Sequence, residues 1–174
     1  MNLPKRITGT LLTTLLAGTL AAQSSARVSA VNYMDYYKQD KKVENLLKAE
    51  EYINKAALDV KTSVDPKTWL YRGQIYQMML ESKDTIKVIR SREELIELSY
   101  SSYTKSLELD TKKELLGYST HGIDALCIHT LQKGNKLYDA AQYQAAYDAY
   151  VKAFNMRGEI KKYYSAMPVD TSTC

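Results

Sequence analysis

Beyond residue 40, apolar side chains recur at intervals of three and four, the spacing that gathers them on one face of an α-helix. Val43, Leu46, Leu47, Ile53, Ala57 and Val60 form one such face over residues 41–60, with the charges elsewhere. Asp65-Pro66 then predicts a helix start, with Asp as the cap and Pro at the first helical position. That helix extends to about Glu81. Residues 82–91, SKDTIKVIRS, read as a loop. A helix follows from about Arg92 to Leu109, with Ile96, Tyr100, Tyr103 and Leu107 on one face. Residues 111–122 hold Lys112, Lys113, Gly117, Thr120 and Gly122, which predict a short extra helix and a break. A further helix starts at Asp124.

The stretch TLQKGNKLYDAAQYQAAYDAYVKAFNM, residues 130–156, predicts two helices folded back on each other. Leu131, Leu137 and Tyr138 line the first, and Gly134 lets a neighbour approach closely. Ala140, Ala141 and Gln142 make the turn. In the second helix, small Ala146 and Ala153 alternate with large Tyr150 and Phe154, which suits close antiparallel packing. Elements of this hairpin recur upstream. Lys55-Ala56-Ala57, Lys105-Ser106-Leu107 and Lys152-Ala153-Phe154 each close a helix, and Trp69, Leu70, Gly73 and Tyr76 repeat the first-helix signature.

These positions resemble the tetratricopeptide repeat. Gly134, Ala146, Tyr150 and Ala153 match its small and aromatic positions, as do Ala49, Ile53 and Ala56 upstream. The three lysines stand 50 and 47 residues apart, against a family period of about 34. The excess corresponds to about 14 residues inserted within the middle repeat and about 13 before the last. The resemblance covers residues 40–157 and implies an all-α fold, a short array of helical hairpins with insertions. Exported proteins of Gram-negative envelopes with stretched repeats are similar.

The N-terminus changes the picture of where the chain works. Lys5 and Arg6, an apolar run from Ile7 to Ala22 and then small residues follow the plan of a secretory signal peptide over residues 1–26, with cleavage after Ala22 or Ala26 both open and Ser24-x-Ala26 fitting the small-x-small rule slightly better. The expected location is periplasmic or otherwise exported, with no integral membrane span once the leader is removed. Losing Lys5 and Arg6 lowers the net charge from +4 to +2, too balanced to point to nucleic acid. Residues 27–40 are a degraded first helix or an ordered lead-in. Residues 41–157 form the repeat-like domain, and residues 158–174 a linker and the start of an incomplete further repeat.

Fifteen tyrosines against one Phe and one Trp suit a thin helical array or a binding surface. The family resemblance implies a concave face built from first helices. In the middle repeat this face comprises Lys67, Leu70, Tyr71, Gln74, Gln77 and Met78. In the last it comprises Gln132, Asn135, Tyr138 and Asp139, with Ile128 and Leu131 beside them. Tyr71 and Tyr138 would anchor an extended peptide or a partner helix. Asn135 matches one residue of the carboxylate clamp of some members, but Leu131 stands where that clamp needs Lys.

Neither a phosphate loop nor a nucleophile motif is present, so no enzymatic activity and no cofactor are expected. His121 and His129, eight residues apart, are too far separated for a chelating pair on a helix. Glu93, Glu94 and Glu97 read as a solvated face. Cys127 reads as a buried helix residue, and an even cysteine count leaves a bridge to Cys174 open in an oxidising compartment. The leading expectation is a non-catalytic scaffold that binds a protein or peptide. The alternative is a purely structural arm of a longer solenoid, which would self-associate through an uncapped C-terminal end near Tyr163, Tyr164 and Met167.

Overall fold

A computed structural model describes residues 26–82 and 90–165, and the described residues are helices joined by turns. Residues 1–25 of the signal peptide expected at 1–26, most of the loop at 82–91 and the tail at 166–174 lie outside them. The helices are α1 (residues 26–40), α2 (Val43–Leu58), α3 (Pro66–Glu81), α4 (Arg92–Leu109), α5 (Leu116–Asp139) and α6 (Tyr143–Ser165). They pair in chain order into three antiparallel hairpins, most extensively α3 with α4 and α5 with α6.

The segment at 27–40 is a full helix. Ala26, Ala30 and Met34 recur every fourth residue and are buried in the core. Tyr33 stacks on Tyr52 with ring centroids 5.6 Å apart. The helix ends at Lys41, whose φ of 57° is left-handed. Asp40 then accepts the Lys42 amide at 2.9 Å and the Asn45 side-chain amide at 3.1 Å, which starts α2. In α2 the buried face is Leu46, Ala49, Ile53 and Ala56. The expected Val60 falls beyond the helix end and is 83% exposed.

Asp65 caps α3 as expected, accepting the Lys67 amide at 2.9 Å with Pro66 in the first turn. Its carboxylate also pairs with Arg27 of α1. Burial alone would raise the pKa of Asp65, yet Arg27 and the Lys67 amide outweigh it and hold the group below the usual carboxylate range.

The seam between α3 and α4 is made of serines. Ser99, Ser102 and Ser106, spaced three and four apart, are fully buried and small enough to let the two backbones come close. Each hydroxyl is used. Ser99 donates to the Gly73 carbonyl at 2.8 Å and Ser106 to that of Pro66 at 3.0 Å. Ser102 accepts from Arg72 at 2.7 Å. A buried hydroxyl bonded in this way avoids the 1–3 kcal/mol, roughly, that an unpaired one would cost.

Two expected breaks are absent. α5 runs unbroken through Gly117 and Gly122, so residues 116–123 extend it and do not form a separate short helix. α6 likewise continues through Gly158 and the following lysines to Ser165, in place of a linker from residue 158. Glycine lowers helix propensity by about 1 kcal/mol, too little to stop a helix whose flanks are packed. Leu126, Cys127, Met156 and Ile160 supply that packing.

The first helices of the hairpins point the same way. Arg27 of α1 reaches Asp65 and Thr68 at the start of α3, and Glu81 at the end of α3 lies 3.7 Å from His129 of α5. The second helices follow on the other side, tied by ion pairs that cross between hairpins. Arg90 bonds Glu50 of α2 and Glu94 of α4, Lys133 of α5 bonds Glu93 at 2.6 Å, and Lys152 of α6 bonds Glu97. The acidic start of α4 is therefore a clamp between neighbours.

Candidate functional site: a groove along the first helices

The alignment of α1, α3 and α5 leaves a groove of about 700 Å³ on their shared side. Its walls are Gln74, Gln77, Met78 and Glu81 of α3, Tyr118 and His121 of α5, and Lys38 at the end of α1. Tyr103, reaching through from α4, forms the floor.

Tyr103 sets the geometry. Its ring is 1% exposed and lies between Gly73 of α3 and Gly122 of α5. A Cβ built at Gly73 would stand 2.7 Å from the ring, and one at Gly122 closer still. Both glycines are therefore required by close approach, and together they fix the register of α5 against α3. The Tyr103 hydroxyl donates to the Gln77 side-chain oxygen at 2.6 Å, and the Gln77 amide donates to Glu81 at 2.8 Å. Burial, and then the Glu81 charge, push the phenol upward, so it stays protonated and keeps donating. This chain holds Gln77 and Glu81 in one orientation at the groove wall.

The groove carries two carboxylates, Glu81 and Glu114, against one lysine, Lys38, whose ammonium already sits 2.8 Å from Asp35. Its electrostatic bias is acidic. Tyr118 is 65% exposed and offers a rigid amphipathic ring at the mouth. At the far end, Arg92 donates to Nδ1 of His129 at 2.8 Å.

The structure brings together only part of the expected set. Gln74, Gln77 and Met78 line the groove. Leu70 is 5% exposed and belongs to the core, which removes it from any binding face. Tyr71 is half-buried against the core, and Lys67 is exposed in the first turn of α3. Gln132, Asn135, Tyr138 and Asp139 are exposed, but they lie on the part of α5 beyond His129, where α3 has ended. Asn135 accepts the Tyr150 hydroxyl at 2.8 Å, and Tyr138 packs edge-on to Tyr143 at the hairpin tip.

The reason is register. Gly73 and Gly134 play the same part within their own hairpins, under Tyr103 and Tyr150. Across hairpins, however, the residue level with Gly73 is Gly122. Reading α5 back from Gly134 at helical spacing, through Gln132, Ile128, Ala125 and His121, would have reached Tyr118. The expected break at Gly122 stopped that reading.

His121 lies in the groove and His129 at its end, and no group of three metal-ligating side chains occurs among the described residues. Cys127 is buried, with its thiol 3.6 Å from the Ala153 carbonyl, and burial raises it above an ordinary thiol. Cys174 lies outside the described residues. No described helix is long and apolar enough to cross a membrane.

Set against family models, curated proteins and solved structures, the chain finds no match.

Proposed function

We propose that this chain is an exported, tetratricopeptide-like scaffold that binds an extended peptide or a segment of a partner protein in the groove along α1, α3 and α5, without catalysing a reaction. The observation that carries this reading is the fixed polar wall made by Tyr103, Gln77 and Glu81 beside the exposed Tyr118. Preorganised amides and carboxylates next to a rigid aromatic ring are what main-chain and side-chain recognition of a peptide needs, since little entropy is lost on binding. The acidic bias selects a peptide carrying a Lys or Arg. The recurrence of tyrosine over glycine, Tyr103 on Gly73 and Tyr150 on Gly134, supports the repeat relationship. The leader-like sequence at 1–26 supports export.

The test is selection of binders from a displayed library of random peptides, followed by titration against variants. Enriched peptides should be rich in Lys or Arg, and Tyr118→Ala with Gln74→Ala should weaken them at least about tenfold. Peptides that bind those variants unchanged would overturn the assignment of the groove.

A further inference from the structure

We propose that the outer flank of the α5/α6 hairpin is a dimerisation face, occupied in solution by the same flank of a second copy of this chain about a two-fold axis. The argument starts from equivalent positions. Tyr103 over Gly73 and Tyr150 over Gly134 align α4 with α6 at a separation of 47 residues. Ile96, Tyr100, Tyr103 and Leu107 of α4 then correspond to Tyr143, Tyr147, Tyr150 and Phe154 of α6. In α4 these side chains are buried or half-buried by the hairpin that follows. In α2, 50 residues before Tyr100, Glu50 also meets the segment that follows, through Arg90.

In α6 the same row lies open. Tyr143, Tyr147 and Phe154 are 61%, 63% and 78% exposed. Leu131, Tyr147, Val151 and Phe154 border an apolar hollow of about 450 Å³ floored by Cys127 and Ala153. The stacking interface that joins one hairpin to the next thus continues onto this flank without an occupant among the described residues. Contiguous apolar surface of this kind marks an interaction site.

A second copy fits because the flank holds both halves of a contact the chain makes internally. Three times a tyrosine ring lies on a helical glycine, at Gly73, Gly122 and Gly134. Exposed tyrosines 143 and 147 share a face of α6 with exposed Gly158, where an added Cβ would meet nothing within 4 Å. Two α6 helices crossing antiparallel between Tyr150 and Val151 would lay Tyr143 over Gly158 and Phe154 against Tyr147, in both directions at once. That self-complementarity is what a two-fold interface requires. Arg157 at the rim lies 3.7 Å from Asp124 of its own chain, so its charge has a partner before the copies meet. At the other end of the array, α1 exposes Val28 and Tyr36 as its large apolar residues, too small a surface to receive the α6 row head to tail.

Sedimentation equilibrium of the intact chain over a range of concentrations tests this, and it is independent of the groove. The expected result is a monomer–dimer equilibrium that stops at two copies. Tyr147→Glu with Phe154→Glu should raise the dissociation constant at least about tenfold with an unchanged circular dichroism spectrum, and with an unchanged melting temperature at dilutions where the wild type is monomeric, because both side chains are exposed. Gly158→Leu should weaken the dimer too, and Tyr36→Glu should leave it intact. Val151→Cys, beside the axis, should give a disulfide-linked dimer in a Cys174→Ser background. A chain that stays monomeric would overturn the proposal, as would open-ended growth sensitive to Tyr36→Glu. A monomer that dimerises only when residues 166–174 are removed would instead assign the flank to the chain's own tail, and would also overturn it.

Discussion

The α3/α4 and α5/α6 hairpins are built on the same contact and meet different surroundings. In each, a tyrosine of the second helix lies over a glycine of the first, Tyr103 on Gly73 and Tyr150 on Gly134. Tyr103 is closed in on its other side by Gly122 of the next hairpin, whereas Tyr150 is half-buried and donates its hydroxyl to the exposed Asn135. One ring has become the keystone between hairpins and the floor of a groove. The other remains a pairing contact within its own hairpin. The difference teaches that the contact itself is local, and that its energetic weight comes from what lies behind it.

The largest effect should separate the two rings. Tyr103→Ala removes a fully buried ring and should cost about 3–5 kcal/mol, while Tyr150→Ala should cost about 1 kcal/mol because water already reaches its site. Equal losses in urea unfolding would break the comparison. Next come the glycines beneath them. Gly122→Ala forces its Cβ into a ring that cannot move, and should destabilise by about 1–3 kcal/mol despite the better helix propensity of alanine. Gly134→Ala would place a Cβ 2.5 Å from Tyr150, but that ring can swing outward. The gain of about 1 kcal/mol from replacing glycine in a helix should roughly cancel the strain.

A third test concerns the joint between the first two hairpins. The Asp65 carboxyl is held below its ordinary value in the folded chain, so its stabilisation is complete above the unfolded value of about 3.9 and disappears as pH falls through the folded one. Asp65→Asn keeps the cap but loses the ion pair with Arg27, so it should lower stability by up to about 1 kcal/mol at pH 7, and the gap from wild type should close as pH falls through the folded value. A gap that persists in acid would mean that Arg27 and the charge on Asp65 are unimportant. A small gain is expected at Gly117, which faces open space. Gly117→Ala should raise stability by about 0.5–1 kcal/mol, sharpening the contrast with Gly122 five residues on.

Much of the local structure was readable in advance for a common reason: its signals depend on neighbours in sequence. The Asp65-Pro66 start, the span of α4 from Arg92 to Leu109 and the turn at Ala140–Gln142 all rest on caps, proline and spacing. Of the candidate site, Gln74, Gln77 and Met78 were found because they share one face of a well-marked helix. Tyr118 and His121 were missed because Gly122 looks like a helix stop to anything that sees only its neighbours.

By itself, then, the sequence determined a chain of helices folded as hairpins, with close approaches marked at Gly73 and Gly134, because helix period, caps and small residues act over a few positions. Tertiary structure alone decided which glycine stands level with which. It carried α5 and α6 through Gly122 and Gly158 and moved the far wall of the groove from Gln132–Asp139 back to Tyr118 and His121. Glycine is permissive in both a turn and a close contact, and only the ring of Tyr103, brought from a different hairpin, chooses between them.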